Sequence, residues 1–162
     1  EAQLDRFMLS IGVGYPSREE EVEIVRRTTT GEDIEIEAVV ERQHLGRLQQ
    51  LVRAIPVADH VVDYAVRLVR SSRPDDPLCP AELLPLLSFG ASPRAAQWLV
   101  LGAKATAVLQ GRSTVLVDDI RRLASATISH RLVLSFRAQA ENIDAATLVE
   151  RLVERTPASV GE

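Results

Sequence analysis

Apolar residues alternate with small or polar residues near the start of the chain. Every second residue from Phe7 to Val13 is apolar, with residues such as Ser10 between them. A period of two is typical of a half-buried β-strand, and the pattern ends at Pro16. The sequence therefore predicts one strand, and because no other stretch predicts a partner for it, we expect its sheet to lie outside this chain. The chain also begins at Glu1 without a methionine, so we expect it to be part of a longer protein.

A capped helix is predicted directly after this segment. Ser17 is a favoured N-cap residue, and three glutamates, Glu19–Glu21, follow it in the first turn. Arginines at positions 26 and 27 occupy the last turn, so the charges match the helix dipole at both ends. Residues 28–41 are polar and are predicted to be a connection with a short extended piece near Ile34.

Most of the remaining chain is predicted to be helical. Hydrophobic residues make up 46% of the sequence but aromatic residues only 4%, so the core must consist of Leu, Val, Ile and Ala, which favours helices. At 162 residues the chain is long enough for one ordinary domain. Helices are predicted over 42–55, over 57–69, from the cap Ser92 to Gly111, from a cap at Asp118 through Ile128, and from a cap at Asp144 through Val153. The predicted fold class is mainly α: a helical bundle preceded by one strand.

The helix that begins after Ser92 has an unusual charge in its first turn. Ser92 and Pro93 form a strong helix start, but Arg94 places a cation at the positive end of the helix dipole. One interpretation is that Arg94 turns to solvent or pairs with an acid such as Glu82. The other is that Arg94 and the free backbone N–H groups together bind a phosphate group.

The charge pattern and the single lysine exclude several functions. The net charge is −4 and the arginines are scattered among acids, so there is no basic stripe that could neutralise a nucleic-acid backbone. Lys104 is the one lysine and lies in GAKAT, so the chain cannot contain a GxxxxGK[ST] phosphate loop. No nucleophile-elbow or catalytic-triad pattern is present either.

No metal site is predicted. The three histidines, His44, His60 and His130, stand far apart without cysteine or carboxylate at metal-ligand spacing, so we expect them to be structural. Cys79 is the one cysteine, which excludes an internal disulfide and agrees with a reducing compartment. Every long apolar run is broken by charge well short of a membrane span, so we expect neither a membrane segment nor a signal peptide.

Four motifs in order along the chain carry a family resemblance. EAQLDRF is followed by the predicted strand, then GYPSREEEVEIV, GASPRAAQWLVLGAKATAVLQGR and VDDIRRLASATISHRLVLSF. This combination resembles the C-terminal part of a MoxR-type AAA+ ATPase. The resemblance implies that residues 1–15 are the end of the nucleotide-binding core, with the arginine-finger motif and the last core strand, and that residues 16–162 are the helical lid domain. Residues 28–43 match the family least.

The resemblance also implies roles for individual residues. Arg94 is similar to the sensor-two arginine, which extends from the lid to the ATP phosphates of its own core, with Ser92 and Pro93 in the same binding motif. Arg6 in LDRF resembles the arginine finger, a catalytic residue that acts on the nucleotide of the neighbouring subunit. Considered alone, Arg6 is ambiguous, because Asp5 and Glu1 are nearby and a surface ion pair is the commoner fate of an arginine.

The expected partners and cofactors follow from the same resemblance. The full-length parent would use ATP and Mg²⁺, would contain its own AAA+ core, and would assemble into a homo-oligomeric ring, expected to be a hexamer, in the cytoplasm. It would act in chaperone-like remodelling or metal-cofactor insertion, with von Willebrand factor A domain proteins as possible partners. The fragment alone is expected neither to bind ATP tightly nor to hydrolyse it. The alternative is a free-standing helical protein-interaction module without a nucleotide role.

Overall fold

The computed structural model describes residues 3–31 and 36–159. Seven α-helices and a two-stranded sheet make up the regular structure of these residues. The elements are α1 (Arg18–Thr29), α2 (Arg42–Ala54), α3 (Asp59–Arg70), β1 (Leu87–Phe89), α4 (Pro93–Leu109), α5 (Val117–Ile128), β2 (Val133–Leu134), α6 (Phe136–Ala140) and α7 (Ala145–Arg155). Short 3-10 turns cover Leu4–Arg6, Leu84–Leu86 and Ser129–Arg131. The predicted fold class, a mainly α helical bundle, is confirmed.

The helix starts show how far capping residues determine the element bounds. A capping box opens α1, in which Ser17 N–H donates to Glu20 Oε2 at 2.7 Å and Glu20 N–H donates to Ser17 Oγ at 3.3 Å. Asp144 caps α7 as predicted, accepting from Thr147 N–H at 2.7 Å. The prediction that Asp118 is the cap of α5 is wrong.

The true N-cap of α5 is Leu116, whose side chain cannot accept a hydrogen bond. The carboxylate at this helix start belongs to Asp119, whose Oδ2 accepts from Leu116 N–H at 2.9 Å. Asp118 therefore lies inside the first turn, where its negative charge still suits the dipole. The helix begins two residues earlier than the predicted cap at Asp118 indicated.

The core lies around α4, which packs against α3 and α5, while α7 packs against α5. Leucine, alanine, valine and isoleucine make up most of this core, as predicted from the low aromatic content. The largest fully buried side chains are those of Tyr64, Leu68, Leu99, Ile120, Ile128, Leu148 and Leu152. Helix α1, in contrast, buries none of its residues.

A small antiparallel sheet closes one end of the bundle, and the sequence did not indicate it. Strands β1 and β2 pair with Leu87 opposite Leu134, and Ser135 N–H donates to Leu86 O at 2.9 Å next to them. Both strands are two or three residues long, which is too short for a visible alternation. The sheet fixes the chain directly before α4 and directly after α5.

The predicted strand at Phe7–Val13 does not form a sheet with any described residue. Ile11 and Val13 are 79% and 91% exposed, and residues 9–17 carry no regular secondary structure. A β-strand requires a neighbouring strand to bond with, and the sequence predicted no partner strand within this chain. The connection predicted over 28–41 is irregular at residues 36–40, α1 extends to Thr29, and Ile34 lies outside the described residues.

Candidate functional site

The loop before α4 is held by a close approach between two backbone segments. Ala91 N–H donates to Ser72 Oγ at 3.0 Å, and Arg73 Nε donates to Ala91 O at 2.9 Å. A Cβ atom on Gly90 would lie 2.3 Å from Ser72 O and 2.6 Å from the carbonyl carbon. Glycine is therefore required at this position, since both clashing atoms belong to the backbone. The contact positions the first turn of α4.

The predicted start of α4 is confirmed. Ser92 is the N-cap residue, Pro93 is the first helical residue, and Ser92 Oγ accepts from Arg94 N–H at 3.2 Å. The first turn of the helix contains no acidic residue. The Arg94 side chain is 60% exposed, so its guanidinium lies at the surface beside the N-terminal end of the helix.

The carboxylate of Asp5 lies at this helix end. Ser92 Oγ is 2.8 Å from Asp5 Oδ1 and 2.9 Å from Oδ2, and its hydroxyl donates to this carboxylate. Arg94 Nη1 lies 3.8 Å from Asp5 Oδ2. The acid beside Arg94 is thus Asp5 and not the suggested Glu82, which pairs with Arg155 at 2.9 Å. An acid from the N-terminal segment supplies the negative charge that the helix dipole favours.

A buried arginine attaches the same segment to the bundle. The Arg131 side chain is 1% exposed, and its Nε lies 3.2 Å from Asp5 Oδ1. Its Nη2 donates to the carbonyl oxygens of Asp5 at 2.9 Å and Phe7 at 2.5 Å, and its Nη1 donates to Thr127 O. Burial lowers the pKa of Arg131 from its ordinary value and Asp5 opposes that shift, so the guanidinium stays charged. The charge is paired and hydrogen-bonded, as a buried charge must be.

His130 packs beside this guanidinium. Its Nε2 lies 2.7 Å from Arg131 Nη1 and 3.3 Å from Phe7 O. Because a guanidinium can only donate, Nε2 accepts and the ring is neutral. Burial and the charge of Arg131 lower the pKa of His130, in agreement with that assignment. Within residues 3–31 and 36–159, no three His, Cys, Asp or Glu side chains cluster in a way that could hold a metal.

Two further contacts continue the attachment along the N-terminal segment. Ser10 N–H donates to Ala126 O at 2.8 Å. Met8 packs against α4 at Gly102, where an added Cβ would lie 3.0 Å from Met8 Cε and 2.9 Å from Leu123 Cδ1. The segment Asp5–Ser10, called the anchor segment below, therefore lies on the surface formed by α4, α5 and the 3-10 turn after α5.

The side chain of Arg6 leaves this surface. Arg6 is exposed, and its guanidinium carbon lies 5.3 Å from the ring centroid of Phe7. The carboxylate of Asp5 is engaged by Ser92 and Arg131. Glu1, the other acid considered for Arg6, lies outside the described residues. The structure thus brings Ser92 and Arg94 together but holds the Arg6 side chain apart from them.

Sequence reasoning missed the two residues that organise this end of the bundle. Asp5 entered only as a neighbour of Arg6, and Arg131 stood within VDDIRRLASATISHRLVLSF without a role. The available signal was the occurrence of both residues in motifs that already carried the family resemblance. Their contact spans 126 positions, which no local pattern can indicate.

A groove of about 770 Å³ lies between α2, α3 and α4. Val62, Val66 and Val100 contribute to its mostly apolar lining, with Arg53 and Lys104 among the charged lining residues. Lys104 Nζ donates to Arg53 O at 3.1 Å, so that ammonium is already engaged. The groove reaches Pro93 at the start of α4, but neither Ser92 nor Arg94 is among its lining residues.

Comparison with known proteins agrees with the helical fold described above. The AAA lid domain family matches residues 85–152, which include β1, α4, α5, β2, α6 and most of α7. Over 154 residues the chain is 34% identical to chaperone MoxR1 of Mycobacterium tuberculosis, an alignment that covers 95% of this chain and 41% of MoxR1. This chain belongs to the MoxR-type AAA+ family.

Two further proteins are similar to this chain over nearly its whole length. The uncharacterized protein YeaC of Bacillus subtilis is 33% identical over 154 residues, covering 94% of this chain and 45% of YeaC. The crystal structure of a protein from Cytophaga hutchinsonii assigned as an ATPase superposes with a TM-score of 0.80 at 29% identity, covering 96% of this chain and 48% of that protein. The chain thus spans less than half the length of these relatives. Ser92, Pro93 and Arg94 lie inside the matched lid domain, whereas Arg6 lies outside it.

None of the described helices of this MoxR-type chain is both long and apolar enough to cross a membrane.

Proposed function

We propose that this chain is the lid portion of a MoxR-type AAA+ ATPase and that it couples ATP binding and hydrolysis to movement of the lid. The observation that carries the proposal is the N-terminal end of α4, where Arg94 is 60% exposed beside a helix start capped by Ser92. Pro93 has no N–H, and the N–H groups of Arg94 and Ala95 both donate to Ser92. The site therefore offers a phosphate group the exposed Arg94 guanidinium and the positive end of the helix dipole. In this division, residues 1–15 close the nucleotide-binding core and residues 16–162 are the lid.

Arg94 is the residue proposed to respond to the nucleotide. Its contact with Asp5 is long, at 3.8 Å, and the pair is partly exposed, so little free energy holds the guanidinium in place. Arg94 can therefore turn to the phosphates of ATP bound by its own core, while Asp5 stays with Ser92 and Arg131. Contact with phosphate in one nucleotide state and not in the other provides the differential affinity that a moving lid requires.

Arg6 is proposed as the arginine finger that acts on the nucleotide of a neighbouring subunit. Its side chain is exposed and its backbone is fixed, which are the two properties that such a residue needs. Phosphoryl transfer is catalysed mainly by positioning and by neutralising charge on the transferred group, and an arginine supplies both. ATP with Mg²⁺ would be bound by the phosphate loop of the parent core, and neither is expected to bind tightly to this chain alone.

The parent protein is proposed to act as a cytoplasmic homo-oligomeric ring, expected to be a hexamer. Its function would be chaperone-like remodelling, in line with the chaperone description of MoxR1, or metal-cofactor insertion. Von Willebrand factor A domain proteins are proposed partners on the basis of the family resemblance alone.

Replacement of Arg94 by alanine in the full-length protein tests the nucleotide role. ATP turnover should fall about tenfold or more, because a charge-assisted contact to phosphate is lost. The melting temperature should stay close to that of the wild type, since an exposed first-turn arginine contributes little to stability. Arg27→Ala, which removes an exposed helix arginine paired with Glu23, is the matched control and should leave turnover unchanged. An Arg94→Ala protein that is unstable but fully active per folded molecule would show that Arg94 is structural.

A further inference from the structure

Arg131 fixes the backbone on both sides of Arg6. Its Nη2 donates to the carbonyl oxygens of Asp5 and Phe7, the residues directly before and after Arg6, at 2.9 and 2.5 Å. Its Nε lies 3.2 Å from the Asp5 carboxylate. One buried guanidinium from the end of the bundle thus holds three oxygen atoms of a segment more than a hundred positions away in the sequence.

We propose that Arg131 is a positioning residue for Arg6. This inference rests on the proposed role of Arg6 as the arginine finger. A planar guanidinium with several donors can hold two carbonyls and a carboxylate in a fixed relative geometry, which a lysine ammonium cannot do. The direction in which the Arg6 side chain leaves the surface is then set by Arg131, although Arg131 itself is buried and touches no nucleotide.

A mechanical consequence follows from where Arg131 is located. Arg131 ends the 3-10 turn that follows α5, and α5 packs directly against α4, the helix that carries Arg94. The Asp5 carboxylate also accepts from Ser92 Oγ at the N-cap of α4. The segment that carries Arg6 is therefore attached to the same end of the bundle as Arg94. A rotation of the lid that responds to phosphate at Arg94 would be transmitted through this attachment to the core segment that carries Arg6.

Hydrogen exchange on this chain tests the attachment without any reference to activity. The Ser10 amide, which donates to Ala126 O, reports on the anchor segment, and the amide of the buried core residue Leu99 reports on the bundle. Arg131→Lys should raise the exchange rate of Ser10 about tenfold or more, because it removes hydrogen bonds from a charged donor, and should leave Leu99 within about twofold. Arg137→Lys, a change at an exposed helix arginine paired with Glu141, should alter neither rate.

A second variant changes Asp5, the other partner in the contact with Arg131. Asp5→Asn keeps the backbone carbonyl but removes the carboxylate charge, so it should also accelerate exchange at Ser10. It serves as the test if Arg131→Lys does not fold, because Asp5 is partly exposed whereas Arg131 is buried. Unchanged exchange at Ser10 in the folded variants would overturn the inference.

Turnover in the full-length ring separates positioning from simple stabilisation. Arg131→Lys should lower kcat about tenfold or more with the KM for ATP unchanged, because a displaced finger weakens only the transition state. Combined with Arg6→Ala, it should cause no further loss, since both changes remove the same contribution. Losses that multiply in the double variant would overturn the inference.

The same measurements distinguish the proposed finger role of Arg6 from the proposed positioning role of Arg131. Normal turnover in Arg6→Ala would defeat the proposed finger role, and the exchange results would still report whether Arg131 holds the segment. A strong loss in Arg6→Ala together with normal kcat in an Arg131→Lys protein whose anchor segment is loosened would defeat the positioning role alone.

Discussion

The carboxylate of Asp5 lies 3.8 Å from the guanidinium of Arg94, at the N-terminal end of α4. This relationship explains how the helix accepts a cation in its first turn. Asp5 provides the negative charge that the dipole favours, and Ser92 Oγ, which donates to Asp5, keeps that charge in place. Because the contact with Arg94 is long and partly exposed, it leaves the arginine available for an anionic ligand.

The first prediction concerns the ion pair between Arg112 and Asp119. Arg112 donates to both oxygens of Asp119, at 2.9 and 2.7 Å, and the Asp119 side chain is 3% exposed. Burial alone would raise the pKa of Asp119, but the hydrogen bonds from Arg112 and Leu116 outweigh it and lower the pKa. Arg112→Ala should lower the free energy of unfolding by about 3 kcal/mol, because it leaves a buried carboxylate without its partner.

Urea denaturation followed by circular dichroism measures this loss. Arg27→Ala, which removes one partner of an exposed helix pair, should cost no more than about 0.5 kcal/mol. Equal effects of the two substitutions would show that the Arg112 pair contributes no more than a surface contact.

The second prediction compares two glycines in different surroundings. Gly90→Ala should destabilise the protein by several kcal/mol, because the new Cβ would clash with the backbone of Ser72 and Arg73 at 2.3 to 2.7 Å. Gly46 lies on the exposed face of α2 with no atom within 4 Å of an added Cβ. Gly46→Ala should raise stability by about 0.5–1 kcal/mol through helix propensity. Thermal melts should show a lower melting temperature for Gly90→Ala and a higher one for Gly46→Ala. A Gly90→Ala protein as stable as the wild type would contradict the close approach of Gly90 to Ser72.

The third prediction concerns pH. The pKa of His130 is lowered from its ordinary value of 6.5 by burial and by Arg131. Between that lowered pKa and about 6.5, the unfolded chain binds more protons than the folded one, so stability should fall as the pH decreases through this window. His130→Gln keeps a hydrogen-bond acceptor for Arg131 but cannot titrate.

Free energies of unfolding at pH 7.5 and pH 5.5 provide the test. The wild type should lose more stability than His130→Gln over this interval, and the other two histidines contribute to both proteins alike. An identical loss in the two proteins would show that His130 titrates as freely in the folded protein as in the unfolded chain.

Local signals in the sequence predicted most of the helical structure. Ser17 with Glu20, Ser92 with Pro93, and Asp144 each mark a helix start correctly, because a cap depends on residues only three positions apart. The cap of α5 was misplaced because two adjacent aspartates offered the same signal and the second one serves Leu116. The sheet of β1 and β2 was missed because its strands are too short to show a period.

The candidate site was predicted only in part, for a different reason. Ser92 and Arg94 are adjacent in sequence, so their motif was visible, and the family resemblance supplied a role for Arg94. The contacts of Asp5 with Arg131 and of Met8 with Gly102 join distant segments, and their energies depend on burial that no single stretch encodes. A lone arginine in HRLVLSF gives no sign that it will be buried.

The last prediction concerns Arg6. In the full-length protein Arg6→Ala should nearly abolish ATP turnover, since an arginine finger typically contributes about 10³–10⁵ in rate. Loss of turnover alone does not show that Arg6 acts across a subunit interface. A variant that keeps Arg6 but carries a disabled phosphate loop provides the required partner, because each inactive subunit then supplies what the other lacks.

Turnover in rings assembled from these two inactive variants tests most directly whether Arg6 acts on the nucleotide of the neighbouring subunit. Interfaces that join an intact phosphate loop to an intact Arg6 should form in mixed rings, so part of the ATP turnover should return and should vary with the mixing ratio. Mixed rings that assemble but recover no turnover at any ratio would contradict the assignment of Arg6 as a finger for the neighbouring subunit.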